Sequence, residues 1–464
     1  MSRNDAILGY SGAAPAAPAS AARRDATPTF FGVHWVYAFI VFDLLCVLAL
    51  IVPGIDRVRF LFRIAVFGGS LALLVFLPRG RCPHPSSRPA LLALLIVALG
   101  LFNPDTQSPL AAVAAIAMYV AILAPLWWVG ALPIDVGLIR RVAMVLWMFH
   151  TSSAAVGVLQ MYFPGGALEP QPNAIFLARG DAMVEGAKIT LAGGQQVFRP
   201  MGLTDQPGGA AASGLAAIVF ALGIWTVDRR WWLGALCLLS MMCGFFCIYL
   251  SQVRSILIMA VVAMLVFAAV LLRRRDYARL GRYVAMAMLV LGASTAWAFY
   301  VGGETTKSRL LTLIENDPRA VYYHGRGWAL HYTWDAIPQY PLGAGLGRWG
   351  MINHYFGGGG SGASISPEPE PLWAEIQWTA WLFDGGVPLI LTYGLAALVA
   401  VWISWRIAID KRAGDVSLWG AVLCASNVAA LAVTFNYPVF MSQGGMEFWL
   451  LNACLWGAWK QGRA

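Results

Sequence analysis

Runs of about 20 apolar residues recur along the chain, and no other feature narrows its folds so far. A bilayer core about 30 Å thick is crossed by about 20 helical residues, because only a helix or a closed barrel satisfies its own backbone groups there. The expected spans are Val33–Pro53, Phe60–Leu77, Pro89–Leu101, Ser108–Gly130, Val142–Phe163, Gly209–Val227, Trp231–Leu250, Ser255–Leu272, Tyr283–Val301, Gly386–Trp405, Leu418–Phe435 and Met446–Trp459. Hydrophobic residues make up 59% of the 464, and charged residues 12%. That charged share is about half the usual value for soluble domains, so the bilayer is the expected solvent. The fold class predicted is all-α: a polytopic transmembrane bundle of about 12 spans, with extracytoplasmic loops carrying short interfacial helices.

Charge placement predicts the orientation. With the N-terminus inside, 20 of the 32 Lys and Arg residues fall on the cytoplasmic side, among them Arg140, Arg141, Arg229, Arg230, Arg273, Arg274, Arg275, Lys411 and Arg412. This is the positive-inside pattern, and it puts both termini in the cytoplasm. Arg57, Arg59 and Arg63 depart from it. The net charge of +9 sits in short loops between apolar runs, which speaks for topology and against nucleic acid as a partner. Residues 1–32, rich in Ala, Pro and Ser, are expected to be a disordered cytoplasmic tail, and 33–464 a single membrane domain. Of the seven cysteines only Cys82 lies outside an apolar run, and none forms a CxxC pair, so disulfides, zinc and haem are not expected.

Two long polar segments, 164–208 and 302–385, fall outside in this threading, so any chemistry is expected there. In the second, Trp328, Tyr332 and Trp334, and then Trp373, Trp378 and Trp381, mark two aromatic stretches of helical length suited to the membrane interface. Gly357–Gly360 with Ser361 and Gly362 separates them. Arg199, Arg254 and Arg326 fall on this same side. The turn Tyr249-Leu-Ser-Gln-Val-Arg254 is so short that the Arg254 guanidinium must sit at the membrane boundary, where an anion is its natural partner. Snorkelling to lipid headgroups is the plainer reading of each arginine taken alone. Candidate general bases are His324, His331, His354, Asp205, Asp335, Glu368, Glu370 and Glu375. Glu375 stands out, because it lies among tryptophans where loss of water favours proton transfer. The Gly343-Ala-Gly-Leu-Gly347 run has no surrounding βαβ unit, so it reads as a tight loop and not as a dinucleotide site.

These segments together resemble the bacterial O-antigen ligase and Wzy-type polysaccharide polymerase superfamily, lipid-linked glycosyltransferases of the GT-C kind. Arg199-Pro-Met-Gly-Leu-Thr-Asp-Gln-Pro207 is similar to the family's Arg-x-x-Gly segment, Ser251-Gln-Val-Arg254 to its Ser-x-x-Arg turn, Gly325-Arg326 to its Gly-Arg segment, and Pro341-Leu-Gly343-Ala-Gly345 to its Pro-x-Gly-x-Gly loop. The family's His-Asn pair is not found at its usual distance. Aligning Asp384-Gly385-Gly386 with the acidic-x-Gly ending puts Glu375 where the histidine stands, with His354 as the alternative base. The resemblance implies a bacterial inner-membrane enzyme with an extracytoplasmic active face, needing neither metal nor cofactor. It further implies an undecaprenyl-diphosphate-linked glycan donor, a glycan acceptor, membrane lipid around the site, and a flippase and chain-length regulator as partners. Arg199, Arg254 and Arg326 would bind the diphosphate, and Glu375 or His354 would act as base in an inverting transfer. Polymerase and ligase both remain open, the former favoured by the two outer segments. A secondary transporter is the reading from another class, set against plain Leu, Ala, Val and Met at most span centres.

Overall fold

The apolar runs fold as helices. The computed structural model describes residues 32–464 apart from 53, 56–57, 78–82, 167, 170–171, 173, 178–180, 191–193, 316, 358–371, 373 and 464. Of the described residues, 77% are helical. The only sheet among the described residues is one antiparallel pair, β1 (Lys188–Thr190) and β2 (Gln196–Phe198). Nearly all of the expected tail, and Glu368, Glu370 and Trp373, lie outside the described residues.

In chain order the main helices are α1 (His34–Ala49), α2 (Arg59–Phe76), α3 (Ser87–Leu99), α4 (Pro109–Leu123), α5 (Val136–Tyr162), α6 (Gly209–Val227) and α7 (Trp231–Leu250). They continue with α8 (Arg254–Arg273), α9 (Tyr277–Glu315), α10 (Trp328–Ala336), α11 (Gly350–Phe356), α12 (Gln377–Ile409), α13 (Asp415–Val433) and α14 (Gln443–Gln461). Local chemistry sets several starts. Ser108 accepts from the Ala111 N–H with Pro109 at the first position of α4, and Asp135 accepts from the Leu138 N–H at 2.7 Å.

Among the described residues nine helices are long and apolar enough to cross a membrane: α2, α4 with the turns that carry it to Ala131, α5 to α9, α12 and α13. The chain is therefore an all-α bundle of the membrane class. α1 and α3 are apolar but shorter. α14 is not among the nine, because Gln443, Glu447, Asn452 and Lys460 interrupt its apolar surface. α9 runs on to Glu315, so the outer segment expected from 302 begins as helix.

Close approach of small residues holds the bundle together, as expected where lipid offers no hydrophobic drive between helices. Gly214 on α6 and Gly244 on α7 face each other so closely that a Cβ on either would lie 2.7 Å from the other's carbonyl oxygen. α6 in turn packs on α5, α8 and α13, and α12 on α3 and α13.

The second aromatic stretch is packed inside the protein, whereas the first is exposed. Its C-terminal part is the first two turns of α12, with Trp381 1% and Phe383 0% exposed, while Trp328 and Trp334 of α10 stay 50% and 62% exposed. Trp381 stacks on Phe440 at 5.8 Å between centroids. The reason is a break at Gly385 and Gly386, the latter at φ +63°, into which the Pro341–Gly347 loop inserts its backbone. A Cβ at Gly386 would lie 2.1 Å from the Pro341 carbonyl oxygen. The backbone groups freed by the break are answered there: Val387 N–H donates to Pro341 O at 3.0 Å, and Ala344 N–H to Phe383 O at 2.8 Å. The glycine loop is thus a staple across a broken helix, fastened on its other side by Asn103, which donates to Gly343 O at 2.9 Å.

Candidate functional site

Arg199 follows β2, and its N–H donates to Ala187 O at 2.9 Å, which fixes where the strand ends. The chain beyond it is held from α5. Gln160 accepts from the N–H groups of Met201 and Gly202, both at 2.9 Å, and Ser153 accepts from Leu203 N–H at 3.0 Å. Only glycine fits at 202, which sits at φ +64° with Ser153 O 2.5 Å from where a Cβ would stand.

Three residues later Asp205, 8% exposed, is bonded by two arginines of α2: Arg59 at 3.3 Å, and Arg63. Arg59 also donates to the Leu50 carbonyl at 2.8 Å. A carboxylate held this way is an anchor for the Arg199 segment, and the expectation of Asp205 as a base is set aside on that ground. It also accounts for Arg59 and Arg63, which the charge pattern alone left unexplained.

Arg254 is the first residue of α8. The turn before it is tight because Gln252 adopts φ +54°, a left-handed conformation uncommon for a residue with a side chain, and Ser251 ties back to Cys247 O at 2.6 Å. Arg326 sits on a π-helical turn, Tyr323–Gly327, leading into α10. Such single turns are frequent at functional sites, because the wider ring aims side chains out of the regular helical register. Arg326 forms an ion pair with Glu375, whose side chain is 9% exposed against 38% for the arginine. Burial pulls the Arg326 guanidinium below its ordinary pKa, though an arginine stays charged throughout the neutral range. Glu375 lies just before α12, where Gln377 accepts from Phe440 N–H at 2.7 Å and so pins this end of the helix.

Arg63, Arg199, Arg254, Arg326 and Glu375 line one cavity of about 1900 Å³. Its other walls are apolar faces of the long helices, among them Phe67, Met118, Phe220, Leu423 and Leu451. The three arginines singled out from sequence, more than 50 residues apart from one another, therefore converge on one chamber with Glu375. His354 does not join them. It is exposed on α11, edge-on to Tyr355 at 5.3 Å, while Tyr355 and Phe356 face the cavity. His331 is exposed and stacks on Tyr323 at 5.0 Å, and Asp335 is exposed on α10. Lys188 pairs with Glu185 at 2.5 Å, and Arg348 donates to Ala344 O at 2.7 Å, so both have local partners.

Two further acids line the cavity, Asp384 noted from sequence only as a motif position and Glu447 not noted at all. Asp384 accepts from Tyr119 and from the Trp349 ring N–H, both at 2.9 Å. Glu447 of α14 lines the cavity and lies beside Asp43 of α1. The available signal was that Asp43 and Glu447 are lone acids inside apolar runs, which membrane segments rarely hold without use.

No protein-family model matches the chain, and no curated protein matches it.

Proposed function

We propose that the protein is a glycan polymerase of the inner membrane, transferring a glycan from undecaprenyl diphosphate to a sugar hydroxyl of a second lipid-linked glycan. The observation that carries this reading is the single chamber in which arginines from separate segments meet apolar helix faces. A lipid diphosphate needs both: guanidinium forks for the phosphate oxygens and an apolar wall for the chain beneath them. In this reading the chain crosses the membrane 12 times, α1, α3 and α14 included, with both termini cytoplasmic and the cavity mouth extracytoplasmic.

The acceptor oxygen bonds to the anomeric carbon from the face opposite the diphosphate, the carbon–oxygen bond to phosphate breaks, and its electron pair leaves on the diphosphate. Arg199, Arg254 and Arg326 stabilise that growing charge, and Glu375 takes the hydroxyl proton, so the anomeric centre inverts. One preorganised donor of this kind is worth about 3–4 kcal/mol, and a general base about 10²–10⁴-fold in rate. Losing one arginine is therefore expected to cost about 10²–10³-fold, within the range expected for losing the base.

The test is glycan analysis of a strain lacking the gene, complemented with wild type or Arg254→Ala and displayed as a ladder. Single repeat units in the deletion and in Arg254→Ala at normal expression, with long polymer restored by wild type, are the expected result. Full-length polymer left on its carrier lipid would make the enzyme a ligase, and an unchanged profile would overturn both.

A further inference from the structure

The acids on the cavity wall already have neighbours. Asp205 is shared by Arg59 and Arg63, Asp384 accepts from Tyr119 and Trp349, Glu447 lies beside Asp43, and Glu375 pairs with Arg326. Four arginines and four carboxyls line the chamber. An anion that enters must either take an arginine from a carboxylate or stand beside acids in a partly dry space, where repulsion is far stronger than in water.

The four acids differ in how they are held. Asp205 has two arginines, and its segment is fixed to α5 through Gln160 and Ser153. Asp384 is locked in the packed break of α12, and Glu447 has no arginine to yield. Glu375 is bonded by one arginine, itself 38% exposed and carried on a π-helical turn.

We propose that Glu375 is a built-in counter-ion occupying an anion subsite on Arg326, and that the substrate's phosphate displaces it. Seating the diphosphate moves the Arg326 guanidinium from carboxylate to phosphate oxygens. The released carboxylate, stripped of its cation, becomes a stronger base at the moment a donor is in place. It then accepts the proton of the incoming hydroxyl as the new glycosidic bond forms, and gives that proton to water after the diphosphate leaves. The chamber thereby holds its base idle until the donor arrives. This inference deepens the glycosyltransferase reading and rests on it.

The experiment is calorimetric binding of inorganic pyrophosphate to the purified full-length protein in detergent. Removing the competing charge with Glu375→Gln is expected to tighten binding about tenfold, the size of effect a close charge pair commonly carries. Glu447→Gln, a cavity acid without an arginine, is expected to change it less than threefold, and Arg326→Ala to abolish the gain from Glu375→Gln in the double variant. If the glutamine variant does not fold, Glu375→Asp, which withdraws the carboxylate by one methylene, should tighten binding in the same direction. Undecaprenyl diphosphate should displace the probe and phosphatidylglycerol should not; equal displacement by both would make this a headgroup site and overturn the proposal. Unchanged or weaker binding in both Glu375 variants, with Arg254→Ala still weakening it, would overturn the exchange alone. Binding to none of the proteins would bring down the anion-site reading together with it.

Discussion

Gln160 is uncharged and does not line the cavity, yet it governs where Arg199 stands. Its carbonyl oxygen takes two consecutive backbone N–H groups just past Arg199, so that segment is pinned to α5 within one turn of the chain. Gln160→Leu leaves both donors buried without an acceptor, at about 1–3 kcal/mol each. The expected result is a variant about 2 kcal/mol or more less stable in thermal unfolding, giving at least tenfold less polymer on the glycan ladder. A full ladder at an unchanged melting temperature would mean that Ser153 and the Asp205 anchor suffice to hold the segment. Asp205 illustrates the same division of labour: a residue with catalytic chemistry is spent on fixing a loop, and the arginines it binds come from a helix 142 and 146 positions away in sequence.

Broken helix α12 is the element on which the site depends most. Its break lets the N-terminal turns carry Trp381 into the aromatic nest of Tyr393, Phe440 and Trp449, and leaves Glu375 at the cavity edge. The Pro341–Gly347 loop fills that break with backbone, so the space at Gly386 is set by a carbonyl oxygen that cannot move aside. Gly386→Ala is expected to cost more than about 4 kcal/mol, the range reached when a substitution strains a special backbone site, and to yield little monodisperse protein. Gly394→Ala, on the same helix with no atom within 4 Å of the added Cβ, is expected to stay within about 1 kcal/mol of wild type. Equal behaviour of the two in detergent-solubilised yield would refute the staple.

Across the bundle as a whole, Arg59 and Arg63, which depart from the expected positive-inside pattern, and the arginines singled out for chemistry form one population, while Arg57 lies outside the described residues. Arg63, Arg199, Arg254 and Arg326 all reach the same chamber, and Arg59 supports Arg63 through Asp205. Orientation is open to a direct check. In a cysteine-free background, Gly165→Cys is expected to react with a membrane-impermeant maleimide in intact cells, and Lys411→Cys only after lysis. Both positions are exposed on the protein, so accessibility does not confuse the comparison. Labelling of both in intact cells would refute the threading, and the reverse pattern would invert it.

The helical membrane class was legible from residue order, because hydropathy over about 20 residues is a local sum that needs no knowledge of neighbours. The same holds for the Arg254 turn, whose length confines its arginine. Other features depended on contacts between distant parts of the chain. That Arg59 and Arg63 answer Asp205, that the glycine loop staples α12, that Trp381 is buried in the protein, and that Asp43 meets Glu447 are matters of packing between helices remote in sequence. A lone acid in an apolar run announces that it needs a partner, but periodicity does not say which helix supplies it. Only the folded bundle, by choosing which helix faces meet, turns scattered arginines and carboxyls into one chamber with paired charges.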